Sequence, residues 1–81
     1  MNWKESAKAV LEAVGGETNV DNVVHCSTRL RINVGDVTKA DTAKLEEIPG
    51  VMGVNVSGKQ VQCIIGADVA KLYQEFAELE M

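Results

Sequence analysis

Two stretches of this chain alternate in character at every second residue, and they constrain its fold more than anything else. Leu30, Ile32 and Val34 interleave with Arg29, Arg31 and Asn33. Val61, Cys63 and Ile65 recur in the same way, with Gln60 and Gln62 between and beside them. Successive side chains of a strand point to opposite faces, so each stretch reads as a strand with one buried and one wet side. A sheet built from them has one covered face and one open face. Arg29 and Arg31 both fall on the open face.

The covering layer is legible as three helices. Asn2 with Glu5 resembles a capping box, and Trp3, Ala7, Val10, Leu11 and Val14 follow at helical spacing until Gly15-Gly16. This predicts a first helix over about residues 3–14, with Trp3 as its anchor. Asp41 caps a short second helix carrying Leu45 and Ile48, closed by Pro49-Gly50. Gly66 and Asp68 open the last helix, whose apolar stripe is Val69, Leu72, Phe76 and Leu79. Glu46, Glu47, Glu75, Glu78 and Glu80 read as solvated helix faces.

Two further strands complete the count. Glu17 to Asn22 is polar and turn-like, and a short strand is expected from about Val23 to Cys26. Met52, Val54 and Val56 alternate as another strand, with Met52 expected in the core. Ser57-Gly58 signals a hairpin. The order αββαββα predicts an α+β, two-layer sandwich. Its four-stranded antiparallel sheet carries three helices on one face.

Size and charge then bound the function. With 81 residues the chain is one domain, 1–81. It buries roughly 60–65% of its unfolded surface, which leaves no room for a deep cavity, so chemistry is expected at the surface. A net charge of −4 argues against nucleic acid, whose binding begins with a basic face. No apolar run approaches the roughly 20 residues of a membrane helix. With two cysteines and no secretory signal, a reduced, cytoplasmic setting is expected. The helical pattern runs into Glu80-Met81, which is compatible with a piece of a longer protein as well as with a whole gene product.

Against that acidic background, one segment stands apart. His25-Cys26-Ser27-Thr28-Arg29-Leu30-Arg31 holds the single histidine, both arginines and one cysteine. Neighbouring cations favour the thiolate, which is the nucleophilic form of cysteine. The guanidinium fork suits phosphate. Backbone amides of the turn after Cys26, with the hydroxyls of Ser27 and Thr28, make an anion-binding nest around the sulfur. His25 falls on the opposite face by alternation, so it is not expected to act as base for Cys26. Cys63 alternates with core residues and is expected to be packing.

Rival chemistries fail on spacing. A cysteine-dependent phosphatase loop would place its arginine where Ile32 stands. A redox pair would need a second cysteine at Arg29. Two cysteines and one histidine are too few and too scattered for zinc. Gly15-Gly16 ends a helix rather than opening a nucleotide loop.

Asn22 followed by Cys26-Ser27-Thr28-Arg29-Leu30-Arg31 resembles the phosphorylation-site motif of the IIB domain of the bacterial phosphoenolpyruvate-dependent sugar phosphotransferase system. The resemblance is to the glucose/sucrose/β-glucoside superfamily, and His25 is more like its sucrose and β-glucoside branch. It extends to Gly15-Gly16, Asp41 through Gly53, Gln60-Val61-Gln62 and Gly66. It implies that Cys26 takes a phosphoryl group from a phosphohistidine of the IIA domain and gives it to a sugar bound by the membrane-embedded IIC domain. Arg29 and Arg31 would serve the transfer and meet the acidic surface of IIA, and Thr28 would lie near the phosphate. No cofactor or metal is expected, because the arginines supply the charge. The family sheet places the last strand beside the second. That returns Gly66 to the Cys26 end, where the start of the last helix is expected to offer free N–H groups to phosphate. Through IIC the domain would sit at the cytoplasmic face of the bacterial membrane. The alternative is a IIB-like regulatory or partner-binding module whose thiol does no turnover.

Overall fold

A computed structural model describes residues 2–79. The sequence expectations at Met1, Glu80 and Met81 lie outside the described residues. Three helices, α1 (Trp3–Ala13), α2 (Thr42–Glu46) and α3 (Val69–Leu79), accompany four strands. The strands are β1 (Val20–His25), β2 (Arg29–Val34), β3 (Gly53–Ser57) and β4 (Gln60–Ile64). Short 3₁₀ turns occupy Glu17–Asn19 and Val37–Lys39. The strands form one antiparallel sheet in the order β1-β2-β4-β3. This is the α+β sandwich that the element order predicts, and the last strand does lie beside the second.

The helix ends follow from local chemistry. Asn2 Oδ1 accepts the amides of Lys4 and Glu5 at 3.1 and 3.2 Å, satisfying two donors that a helix start leaves open. Asp41 Oδ1 does the same for Lys44 at 3.1 Å. At the β3–β4 hairpin, Gly58 takes φ 59. A left-handed first turn position matches the twist of the flanking strands and favours glycine.

The core lies between sheet and helices. Leu30, Ile32, Val61 and Cys63 from the sheet are fully buried against Ala7, Val10 and Val14 of the first helical segment, Leu45, and Leu72 and Phe76 of α3. Asn19 is buried within the polar stretch and acts as a clamp. Its Nδ2 donates to the carbonyls of Val14 and Asp36 at 2.7 and 2.9 Å, and its Oδ1 accepts the Asp36 amide at 2.9 Å. It thereby joins the end of α1 to the segment following β2.

Two expectations need correction. Strand β1 starts at Val20 rather than Val23 and stops at His25. The pairing shifts between Val20 and Asn22, which leaves Asp21 as an extra residue. Such a bulge breaks the two-residue period, so the alternation that marks a strand is missing there. Met52 is not core but 70% exposed. Its amide still donates to Ile64 at 2.7 Å, continuing the ladder, but its side chain lies beside Gly66 at the sheet margin. Among the predicted solvated glutamates, Glu75 is half-buried while Glu46, Glu47 and Glu78 are exposed.

Candidate functional site

Cys26, Ser27 and Thr28 form the connection between β1 and β2. The Cys26 amide donates to the Arg29 carbonyl at 3.0 Å, which closes the turn. From the other side, the Thr28 carbonyl accepts two amides from the exit of β4, Ile65 at 2.8 Å and Gly66 at 2.9 Å. The loop is therefore held at both ends by backbone. Ser27 and Thr28 are exposed and Cys26 is half-buried.

Inside that loop the sulfur is surrounded by donors. The Cys26 thiol is lowered from 9.0 to about 7. The backbone N–H of Thr28 contributes most, followed by hydrogen bonding from the Arg31 side chain and the backbone N–H of Arg29. The Arg31 charge adds to this, while partial burial works in the opposite direction. In the neutral form the thiol faces the Arg29 carbonyl at 3.8 Å. A value near 7 leaves about half of the sulfur as thiolate at neutral pH. Cys63 is the converse case. It is fully buried, and desolvation pushes its thiol up to about 12.

Both arginines lie on the open face, as the alternation predicts. Arg29 Nη1 donates to Gln62 Oε1 at 2.9 Å, and Arg31 Nη1 donates to Gln60 Oε1 at 3.2 Å. His25 lies on the helix side, with its ring centroid 4.6 Å from that of Tyr73 on α3. Its Nδ1 is 2.9 Å from the Cys26 carbonyl oxygen. The imidazole thus engages the backbone of Cys26 on the face away from the arginines.

The structure brings Cys26, Ser27, Thr28, Arg29, Arg31 and Gly66 to one end of the sheet. Gly66 departs from expectation in one respect. Its amide is not free for phosphate, because it is committed to the Thr28 carbonyl. Its φ of +98° turns the chain out of β4 towards α3. The residues that sequence reasoning missed are Gln60 and Gln62. Their outward orientation was readable from the alternation. Their position under the arginines depends on the β2–β4 register, which pairs Arg31 with Gln62.

Comparison with known proteins agrees with this geometry. A family model described as phosphotransferase system, EIIB, matches residues 8–41. The chain is 55% identical over 74 residues to the PTS system beta-glucoside-specific EIIBCA component of Bacillus subtilis (strain 168), a match covering 91% of this chain and 12% of that protein. It is 42% identical to the arbutin-, cellobiose-, and salicin-specific EIIBC component of Escherichia coli (strain K12), covering 96% of this chain and 16% of the relative. The chain thus spans a small fraction of the length of these relatives. A crystal structure of one domain of the PTS system IIabc component from Clostridium difficile superimposes with a TM-score of 0.91 at 31% identity, covering 98% of this chain and 83% of that one. With motif, sheet order and near-complete overlap in agreement, the chain belongs to the EIIB family of the phosphotransferase system, in its glucose/sucrose/β-glucoside group.

Proposed function

We propose that this domain is a phosphocarrier, with Cys26 receiving a phosphoryl group from a phosphohistidine of IIA and passing it to a sugar held by IIC. The observation that carries this reading is the Cys26 thiol, accessible in a hairpin loop and lowered to about 7. In the first step the thiolate attacks phosphorus. A P–S bond forms, the P–N bond to the donor histidine breaks, and the imidazole leaves with the electron pair and takes up a proton. In the second step a sugar hydroxyl oxygen attacks the same phosphorus. The P–S bond breaks, and the sulfur departs as thiolate while the hydroxyl gives up its proton.

A thiol near pKa 7 suits both steps, being ionised enough to attack and stable enough as an anion to leave. The loop amides that stabilise the thiolate are the donors that would stabilise charge on the transferring group, with Arg29 and Arg31 supplying positive charge from the open face. Thr28 and Ser27 add hydroxyls beside the phosphate, and Gly66 holds the loop in place. The partners are IIA as donor, and IIC with its sugar as acceptor at the cytoplasmic side of a bacterial membrane. The relatives' names range over several sugars, as expected if the sugar is selected outside this domain. The depressed thiol favours a carrier over a binding module without turnover. Incubation with phosphorylated IIA should label the wild-type chain and the Cys63→Ser variant but not Cys26→Ser. Label that persists without Cys26 refutes the assignment.

A further inference from the structure

The open face of the sheet carries an ordered row of side-chain amides that the transfer chemistry above does not use. Arg29 Nη1 donates to Gln62 Oε1 at 2.9 Å, and Gln62 Nε2 donates to Gln60 Oε1 at 2.8 Å. The same Gln60 oxygen accepts Arg31 Nη1 at 3.2 Å. Gln60 Nε2 donates to Asn33 Oδ1 at 3.1 Å, and Asn33 Nδ2 donates in turn to Asn22 Oδ1. Every bond in the row runs the same way, from the guanidinium groups towards Asn22 on β1.

That direction follows from the chemistry of the groups. A guanidinium has donors and no acceptor, so the amide facing it must present oxygen. The amide nitrogen is then left to donate onward. Flipping any one amide would set N–H against N–H at one end of it. The row therefore has one satisfied arrangement, and both arginines are fixed by it. Gln62 is only 7% exposed, so a polar group there must be bonded. The row is also neutral. A carboxylate at either position would hold an arginine more tightly, but it would cancel the charge that phosphate needs. On this side of the sheet β2 contributes the two arginines and β4 contributes no charged group, while His25 of β1 is turned to the Tyr73 side.

We propose that Gln62 and Gln60 are positioning residues for Arg29 and Arg31, neutral acceptors that fix both guanidinium groups on the open face of the sheet while leaving their charge and remaining donors for the phosphoryl group. This rests on the phosphocarrier reading for its purpose, but the fixing itself can be tested without phosphate.

The first measurement is the pH profile of iodoacetamide alkylation of Cys26 in the wild-type chain and in Gln60→Glu, Gln62→Glu and Gln62→Leu. Cys63 serves as an internal control, because it stays unreactive in any folded variant. Gln60→Glu, whose carboxylate would face Arg31, should raise the alkylation midpoint by about one pH unit, as it competes with sulfur for that guanidinium, while Gln62→Glu and Gln62→Leu, which face Arg29, should move it much less. A Gln60→Glu variant that is folded and keeps the wild-type midpoint would overturn the proposal. The second measurement is the rate of phosphorylation by phosphorylated IIA. Gln62→Leu should slow it about tenfold in the wild-type background and less than about twofold in the Arg29→Lys background. Equal losses in both backgrounds would mean that Gln62 does not act through Arg29. A wild-type chain that takes no label would defeat the phosphocarrier reading, and the alkylation profiles would still decide the amide row.

Discussion

The carbonyl of Thr28 accepts the amide of Gly66 at 2.9 Å, joining the loop that carries the sulfur to the turn that starts the last helix. The bond depends on a backbone that only glycine adopts easily, with φ +98° at Gly66. A Cβ there would also lie 3.2 Å from the terminal methyl of Met52.

Gly66→Ala is therefore expected to cost about 1–2 kcal/mol of stability from left-handed strain. The flexible end of Met52 can yield, so the backbone sets most of that cost. Denaturant unfolding measures it. If the strap also sets the loop, the same variant should raise the alkylation midpoint of Cys26.

Arg29 and Arg31 should differ in a measurable way. The Arg31 side chain helps lower the Cys26 thiol, whereas Arg29 contributes there through its backbone amide. Arg31→Met should move the midpoint of Cys26 alkylation up from about 7, and Arg29→Met should leave it nearly in place. Both should slow phosphoryl transfer, by about a hundredfold if each supplies one transition-state donor. Lysine at either position keeps the charge but loses the fork, so it should restore only part of the rate.

The two thiols give stability opposite pH dependences. Cys26 is depressed in the folded state, so between about pH 7 and 9 the unfolded chain binds more protons and stability rises with pH. Cys63 is raised, so from about pH 9 towards 12 the folded chain keeps a proton the unfolded chain has lost, and stability falls. Chemical denaturation across this range should show the rise disappearing in Cys26→Ser and the Cys63 contribution to the fall disappearing in Cys63→Ala.

Cys63→Ser separates packing from chemistry. It buries a hydroxyl among Leu30, Val61 and their neighbours, which should cost about 1–3 kcal/mol if the group finds no partner. Phosphoryl labelling of the folded fraction should be unchanged. A loss of label per folded molecule would give Cys63 a role that its burial does not suggest.

The parts of this fold that could be read in advance are those governed by local periodicity. Strand β2, the Asn2 and Asp41 caps and the stripe of α3 follow from spacing alone. The first residues of strand β1 escape the pattern because the extra residue at Asp21 disrupts its period. Met52 lies outside the core, which its spacing does not reveal, because alternation says which face a residue is on, not how far the helices extend over that face. At the site, the common face of the arginines was legible, since side-chain alternation fixes it. The glutamine partners depended on pairing between strands about thirty residues apart. The commitment of the Gly66 amide to Thr28 depended on how two loops meet, which no single stretch records.

The extra residue at Asp21 has a consequence beyond strand length. Strand β1 forms one border of the sheet, where backbone donors and acceptors face outward. The bulge interrupts their repeat, so a foreign strand laid along this border would find only Asn22 to His25 in continuous register. Short, kinked borders of this kind resist intermolecular strand addition. The same irregularity that hid the strand from its pattern helps keep neighbouring copies from zipping together.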